Sequence, residues 1–164
     1  MTELVLFIPL LYLGCVSWPL IRYDFQEHRL PNKYTVPLIF VTAGTLIGFG
    51  LVTDQHLRLA QSALAMSITF GIGWLLARYA ELGMGDVKLL ISLNGWLAWH
   101  DPWFIAISLL LGLVAANAFA LRIWIQRKDP REHIALGPFL LLGFYLVAIA
   151  PSWQIFTVVG ESWA

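Results

Sequence analysis

The chain alternates long apolar runs with short polar joints. Six runs stand out: Leu4–Ile21, Tyr34–Val52, Leu59–Ala77, Val87–Trp99, Trp103–Ile125 and Ile134–Val159. None alternates with period two, as a barrel strand facing lipid would, and backbone groups in lipid need partners within their own segment. The pattern therefore predicts an all-α polytopic membrane protein with six transmembrane helices. The fourth span is short: its 13 residues rise about 20 Å as a helix, against a hydrocarbon core of about 30 Å. The segment before it, Glu81-Leu82-Gly83-Met84-Gly85-Asp86, is glycine-rich and acidic. Irregular backbone at membrane depth survives only where protein or a wet cavity covers it. A short span behind such a turn points to a site. With no internal repeat, linker or low-complexity tract, residues 1–164 are expected to form one membrane-embedded domain.

Composition agrees with this pattern. Of 164 residues, 59% are hydrophobic and 12% charged, against about 45–50% and about 25% in soluble domains. An ordinary soluble domain and a disordered chain are both excluded. Ten basic and ten acidic residues balance, so nothing marks a nucleic-acid partner. The single cysteine, Cys15, can form neither an internal disulfide nor a CxxC metal site. It is expected to be a small buried hydrophobe. No basic residue precedes the first run, which is expected to be a retained span rather than a cleaved signal peptide.

Charge also sets an orientation. Arg22, Arg29 and Lys33 follow the first run, Arg78 and Lys88 lie between the third and fourth, and Arg122, Arg127, Lys128 and Arg131 precede the last. Those alternate joints hold nine of the ten basic residues, and only Arg58 lies opposite. The positive-inside rule puts the nine in the cytosol and both termini outside.

The carboxylates then sort by face. Glu3, Asp54, Asp101 and Glu161 fall outside; Asp24, Glu27, Glu81, Asp86, Asp129 and Glu132 fall on the cytosolic side. Asp129 and Glu132 sit among basic residues around Pro130, as a solvated turn would. Asp24 closes the first run, seven residues before Pro31, and Asp86 stands at the head of the fourth helix behind Gly83 and Gly85. Each alone has the ordinary explanation of a helix-end carboxylate. As a pair at matched depth they suit water-activated peptide hydrolysis. Two carboxylates brought together cannot easily both ionise. The ionised partner then takes a proton from water, and the protonated partner donates to the carbonyl oxygen.

Gly83-Met84-Gly85-Asp86-Val87-Lys88-Leu89-Leu90, followed by Gly95-Trp96-Leu97, resembles the second signature of the type IV prepilin peptidases, which are membrane-embedded GxGD aspartyl proteases. Asp24, Pro31 and Asn32, with Thr35 and Pro37 beyond, are similar to the first signature of that family. Gly137-Pro138-Phe139 with Gly143 is a third match. The resemblance implies that Asp24 and Asp86 are the catalytic pair, supported by Gly83, Gly85, Pro31, Asn32, Lys88, Gly137 and Pro138. It implies no metal and no cofactor. The substrate it implies is a prepilin or pseudopilin-like protein with a basic leader, for which Glu27 and Glu81 are candidate contacts. Many bacterial members carry a cytosolic segment with two CxxC pairs and also methylate the product; with one cysteine, the chain resembles a peptidase-only form. The presenilin and signal-peptide-peptidase group shares Tyr23-Asp24, but its Pro-Ala-Leu signature is absent here.

A small ion-coupled transporter using Asp24 and Asp86 as proton or cation sites is the main alternative. Such sites tend to lie near the midplane between repeated halves, and neither feature is found. A non-enzymatic membrane scaffold would have no need of the two aspartates. Other polar and small residues have structural expectations. Lys88, two residues past Asp86, should face away from it and snorkel. His28 shares the face of Asp24 if the first helix continues. Gly44 with Gly48, and Gly71 with Gly73, should allow close helix packing, and Asn94 and Asn117 should bond between helices. Trp96, Trp99, Trp103 and Trp153 should form an interfacial belt, and His100-Asp101-Pro102 a short outer turn.

Overall fold

The computed structural model describes residues 2–27, 29–80, 82–127 and 135–149. After a 3-10 turn at Thr2–Phe7 come six helices: α1 (Ile8–Glu27), α2 (Asn32–Val52), α3 (His56–Tyr79), α4 (Met84–His100), α5 (Trp103–Arg127) and α6 (Gly137–Ile149). No strand occurs among the described residues. Four segments are long and apolar enough to cross a membrane: Leu4–Glu27, Asn32–Val52, His56–Tyr79 and Trp103–Arg122. The chain is an all-α, multi-pass membrane protein. His28, Glu81, Lys128, Asp129, Pro130, Arg131, Glu132, Ile134, Trp153, Glu161 and residues 150–159 of the last predicted span lie outside the described residues, as do the side chains of Glu3 and Arg127.

Two helices run further than their apolar stretches. α1 continues past Ile21 to Glu27, so Asp24 lies within its last turn. Nothing in Arg22–Glu27 breaks a helix; the next breaker is Pro31, which disfavours helical geometry in the residue before it. α4 begins at Met84 and has 17 residues, about 25 Å of rise. That is longer than its apolar run and still short of the hydrocarbon core. Gly83 is its N-cap, in extended conformation. Gly85 and Asp86 therefore belong to the first helical turn and not to an irregular loop.

The short helix lies at the centre. α4 packs on α2, α3, α5 and α6, and every residue from Ile91 to Trp99 is buried. A helix apolar all round belongs inside protein. This corrects the expected belt: Trp96 and Trp99 are core residues, 3% and 1% exposed, while Trp103 is 74% exposed. The buried Trp96 indole N–H donates to the Leu6 carbonyl at 2.9 Å, the partner such a group requires. Leu13, Leu20, Leu89, Leu93, Leu97, Leu141 and Phe144 complete the main cluster. Large apolar side chains such as Leu11, Trp18, Phe40, Leu64 and Leu110 point outward, as lipid-facing surface does.

Close helix approach occurs at glycines other than the expected GxxxG pair. Gly44, Gly48 and Gly71 have open space where a Cβ would stand. A Cβ on Gly73 would lie 2.5 Å from Val87 Cγ1, and one on Gly95 2.6 Å from Met66 Cγ, so α3 and α4 meet there. α5 and α6 cross at Gly112 and Gly143, where an added Cβ on Gly143 would strike the Ser108 carbonyl. Asn94 donates to Thr69 across α4 and α3 at 3.0 Å. Asn117 instead bonds the Leu113 carbonyl one turn back on its own helix. Ser17 and Tyr145 share a 2.7 Å hydroxyl bond between α1 and α6. Cys15 is exposed rather than buried, because it falls on the outward face of α1. Asp101 caps the turn between α4 and α5 by accepting the Trp103 N–H at 2.8 Å.

Candidate active site

Asp24 ends α1 in a closed setting. Its side chain is 3% exposed, and Oδ2 accepts the backbone N–H of Gly137, the first residue of α6, at 2.9 Å. Helix N-termini carry unpaired N–H groups and partial positive charge, so a carboxylate is well placed there. The chain permits the contact only because residue 137 has no side chain: a Cβ would stand 2.8 Å from Asp24 Oδ2. Pro138 follows, and its missing N–H costs nothing in a first turn. The Leu136 carbonyl closes that turn, accepting the N–H groups of Phe139 and Leu140.

Asp86 sits in the first turn of α4, half-buried. Its Oδ2 turns back over Gly83, 2.9 Å from where a Cβ would stand. Its Oδ1 is buried without a hydrogen-bond partner among the described residues. The Asp24 carboxylate is near enough to act on it electrostatically.

Leu30 holds the two acid-bearing segments together. It lies between α1 and α2 and is 7% exposed. A Cβ on Gly85 would come within 2.7 Å of Leu30 Cβ and 2.9 Å of its carbonyl oxygen. A Cβ on Gly137 would come within 3.3 Å of Leu30 Cδ2. Gly85 therefore serves close approach, not unusual backbone geometry; no described glycine has positive φ.

The start of α2 supplies the rest of the frame. Pro31 is its N-cap, with φ −66° and ψ 133°, and its carbonyl accepts the Tyr34 N–H at 3.1 Å. Asn32 Oδ1 accepts a 2.7 Å hydrogen bond from Lys88 Nζ, which ties the first turns of α2 and α4. Lys88 thus faces away from Asp86, as expected, but is engaged rather than simply snorkelling. Lys33 Nζ stands over the rings of Tyr23 and Tyr34, 5.1 and 4.8 Å from their centroids, and bridges the end of α1 to α2. Glu27 is exposed on the last turn of α1, next to this cluster in the chain.

Asp24, Asp86, Gly83, Gly85, Pro31, Asn32, Lys88, Gly137 and Pro138 thus come together at one end of the bundle. Sequence reasoning missed Leu30, the N–H of Gly137 as a partner for Asp24, and the Lys33 clamp. Leu30 has no distinguishing signal, whereas the tyrosines flanking Lys33 were visible. Chemically, the site presents one carboxylate with a fixed donor and a second with a free buried oxygen. That asymmetry suits a pair in which one group gives a proton and the other takes one.

A family described as the type IV leader peptidase family matches residues 6–117, a range that includes Asp24 and Asp86 and stops before α6. A prepilin leader peptidase/N-methyltransferase of Escherichia coli (strain K12) is 28% identical over 133 residues, 79% of this chain and 57% of that protein. One from Pectobacterium carotovorum subsp. carotovorum is 37% identical over 127 residues, 73% of this chain and 43% of that protein. Leader peptidase HopD of Escherichia coli is 27% identical over 146 residues, 85% of this chain and 92% of that protein. The chain spans about half the length of the prepilin leader peptidase/N-methyltransferases it matches. No solved structure matches it.

Proposed function

Because the chain belongs to the type IV leader peptidase family, we propose that it is an aspartic endopeptidase that removes the leader of prepilin or pseudopilin-like proteins at the cytosolic face of the membrane. What supports this reading is the convergence of Asp24 and Asp86, from the last turn of α1 and the first turn of α4, around Leu30 and Gly137.

In this mechanism the pair holds one proton. The ionised carboxylate takes a proton from water as the oxygen attacks the scissile carbonyl. The protonated carboxylate donates to the carbonyl oxygen, and the amine leaves after a second proton transfer. Asp24, held by the N–H of Gly137, takes the role of base, and Asp86, with its free Oδ1, that of acid. The apolar helix of the substrate lies in the bilayer, and its basic leader extends into the cytosol, where Glu27 and Glu81 supply opposite charge. Nine basic residues on alternate joints support that sidedness. The test is leader cleavage by the purified protein, with the Asp24→Asn and Asp86→Asn variants compared at equal folded amounts.

A further inference from the structure

A second cavity lies at the end of α4 remote from Asp86. Asp86 occupies the first turn of that helix and His100 its last position, a separation of about 20 Å along the axis. The cavity measures about 390 Å³, and Gln55, Arg58, Trp99, His100, Phe7 and Ile149 are among the residues that line it. Small-molecule sites span about 300–1,000 Å³.

Its polar groups share a character. Trp99 is 1% exposed, packs edge-on against Phe49, and has a buried indole N–H with no partner among the described residues. Leaving a buried donor unpaired is costly. Arg58 makes no ion pair among the described residues and lies within electrostatic range of His100. It is also the one basic residue of ten that the sequence pattern assigns to the joints on this side. Gln55 adds a buried amide oxygen without a partner among the described residues, an acceptor suited to a hydroxyl. The cavity thus offers a cation and an N–H donor to an anion, with a hydroxyl acceptor beside them. Apart from the His100 ring, its remaining wall is apolar, and Phe7 and Ile149 reach the protein surface at 52% and 77% exposure.

We propose that this cavity binds an acidic glycerophospholipid of the surrounding bilayer, its phosphodiester on Arg58 and the Trp99 N–H, its headgroup hydroxyl on Gln55, and its acyl chains along Phe7 and Ile149. A free anion lacks the part that would cover the apolar wall, and a zwitterionic headgroup would bring a second cation to Arg58. The proposal is independent of the leader-peptidase reading, since none of its residues belongs to the Asp24–Asp86 site.

The test is lipid retention by the full chain in detergent, measured by native mass spectrometry and by the thermal unfolding midpoint. Phosphatidylglycerol, phosphatidylcholine with the same acyl chains, and inorganic phosphate are compared. Phosphatidylglycerol should be retained and should raise the midpoint, with the other two inert. Arg58→Gln should weaken its binding about tenfold, the loss expected for one charge-assisted hydrogen bond. Trp99→Phe keeps the ring packing and should weaken binding less. Gln55→Glu adds a like charge at the headgroup and removes no side-chain cap of α3, so it tests the site even if Arg58→Gln folds poorly; it too should weaken phosphatidylglycerol binding. Equal retention of both lipids by the wild type, unchanged phosphatidylglycerol binding in Arg58→Gln and Gln55→Glu, or displacement of the lipid by inorganic phosphate would each overturn the proposal.

Discussion

The backbone N–H of Gly137 lies 2.9 Å from Asp24 Oδ2 and joins the last turn of α1 to the first residue of α6. The aspartate is thereby held by the backbone of a helix distant in sequence, at the end where a helix favours negative charge. No side chain can be added at residue 137 without entering the space of that carboxylate.

Gly137→Ala should therefore injure activity more than stability. Its Cβ would force Asp24 to move by a few tenths of an ångström or more, and a 1 Å misplacement can cost about a hundredfold in rate. Cleavage per folded molecule should fall by about that factor, with a comparatively small change in the thermal midpoint. Parallel loss of yield and activity would instead mark the glycine as a packing residue only.

Gly85 gives a sharper test. Its Cβ would meet both Leu30 Cβ and the Leu30 carbonyl, so the clash begins with the first added carbon. Gly85→Val should nearly abolish cleavage, and Gly85→Ala should already be severe. Leu30→Ala keeps both clashing atoms and should not rescue Gly85→Ala. Near-normal specific activity in Gly85→Val would show that this contact does not position Asp86.

Much of this architecture was legible in the sequence. The six apolar runs give the six helices because burial, whether in lipid or, for α4, in protein, leaves a hydropathy signal along each. The brevity of Val87–Trp99 marked α4, and the contexts of Asp24 and Asp86 marked the two acids. What stayed hidden depends on rotation about each helix axis. Cys15, Trp96 and Trp99 were misplaced because inward and outward faces of a membrane helix are both apolar, so period 3.6 carries little contrast. Of the glycines expected at close helix contacts only Gly73 is at one, whereas Gly44, Gly48 and Gly71 are not; the helices also meet at Gly95, Gly112 and Gly143, which only the three-dimensional crossings determine. The Lys88–Asn32 bond likewise needs the meeting of α2 and α4.

Orientation is tested by cysteine accessibility. Cys15 is on the outward face of α1, so Cys15→Ala is a suitable background. In intact cells, Asp54→Cys and Asp101→Cys should react with an impermeant thiol reagent, and Arg29→Cys only after permeabilisation. The opposite pattern would invert the sidedness proposed for the site.

The inhibitor profile follows from the chemistry assigned to the pair. A carboxylate dyad that activates water needs neither a metal ion nor a side-chain nucleophile. Cleavage should survive EDTA and also reagents that modify serine or cysteine. Loss of activity in EDTA, restored by adding a divalent metal, would contradict the proposed mechanism.

The most direct measurement is cleavage of a prepilin-like substrate by Asp24→Asn and Asp86→Asn, each purified in detergent and matched to the wild type by thermal unfolding. Asparagine keeps the size and removes only the acid. Both variants should insert and fold, and each should lose activity by about a hundred- to ten-thousandfold, the contribution of a general acid or base. Processing by either variant at a rate close to that of the wild type would contradict the assignment of Asp24 and Asp86 as the catalytic pair.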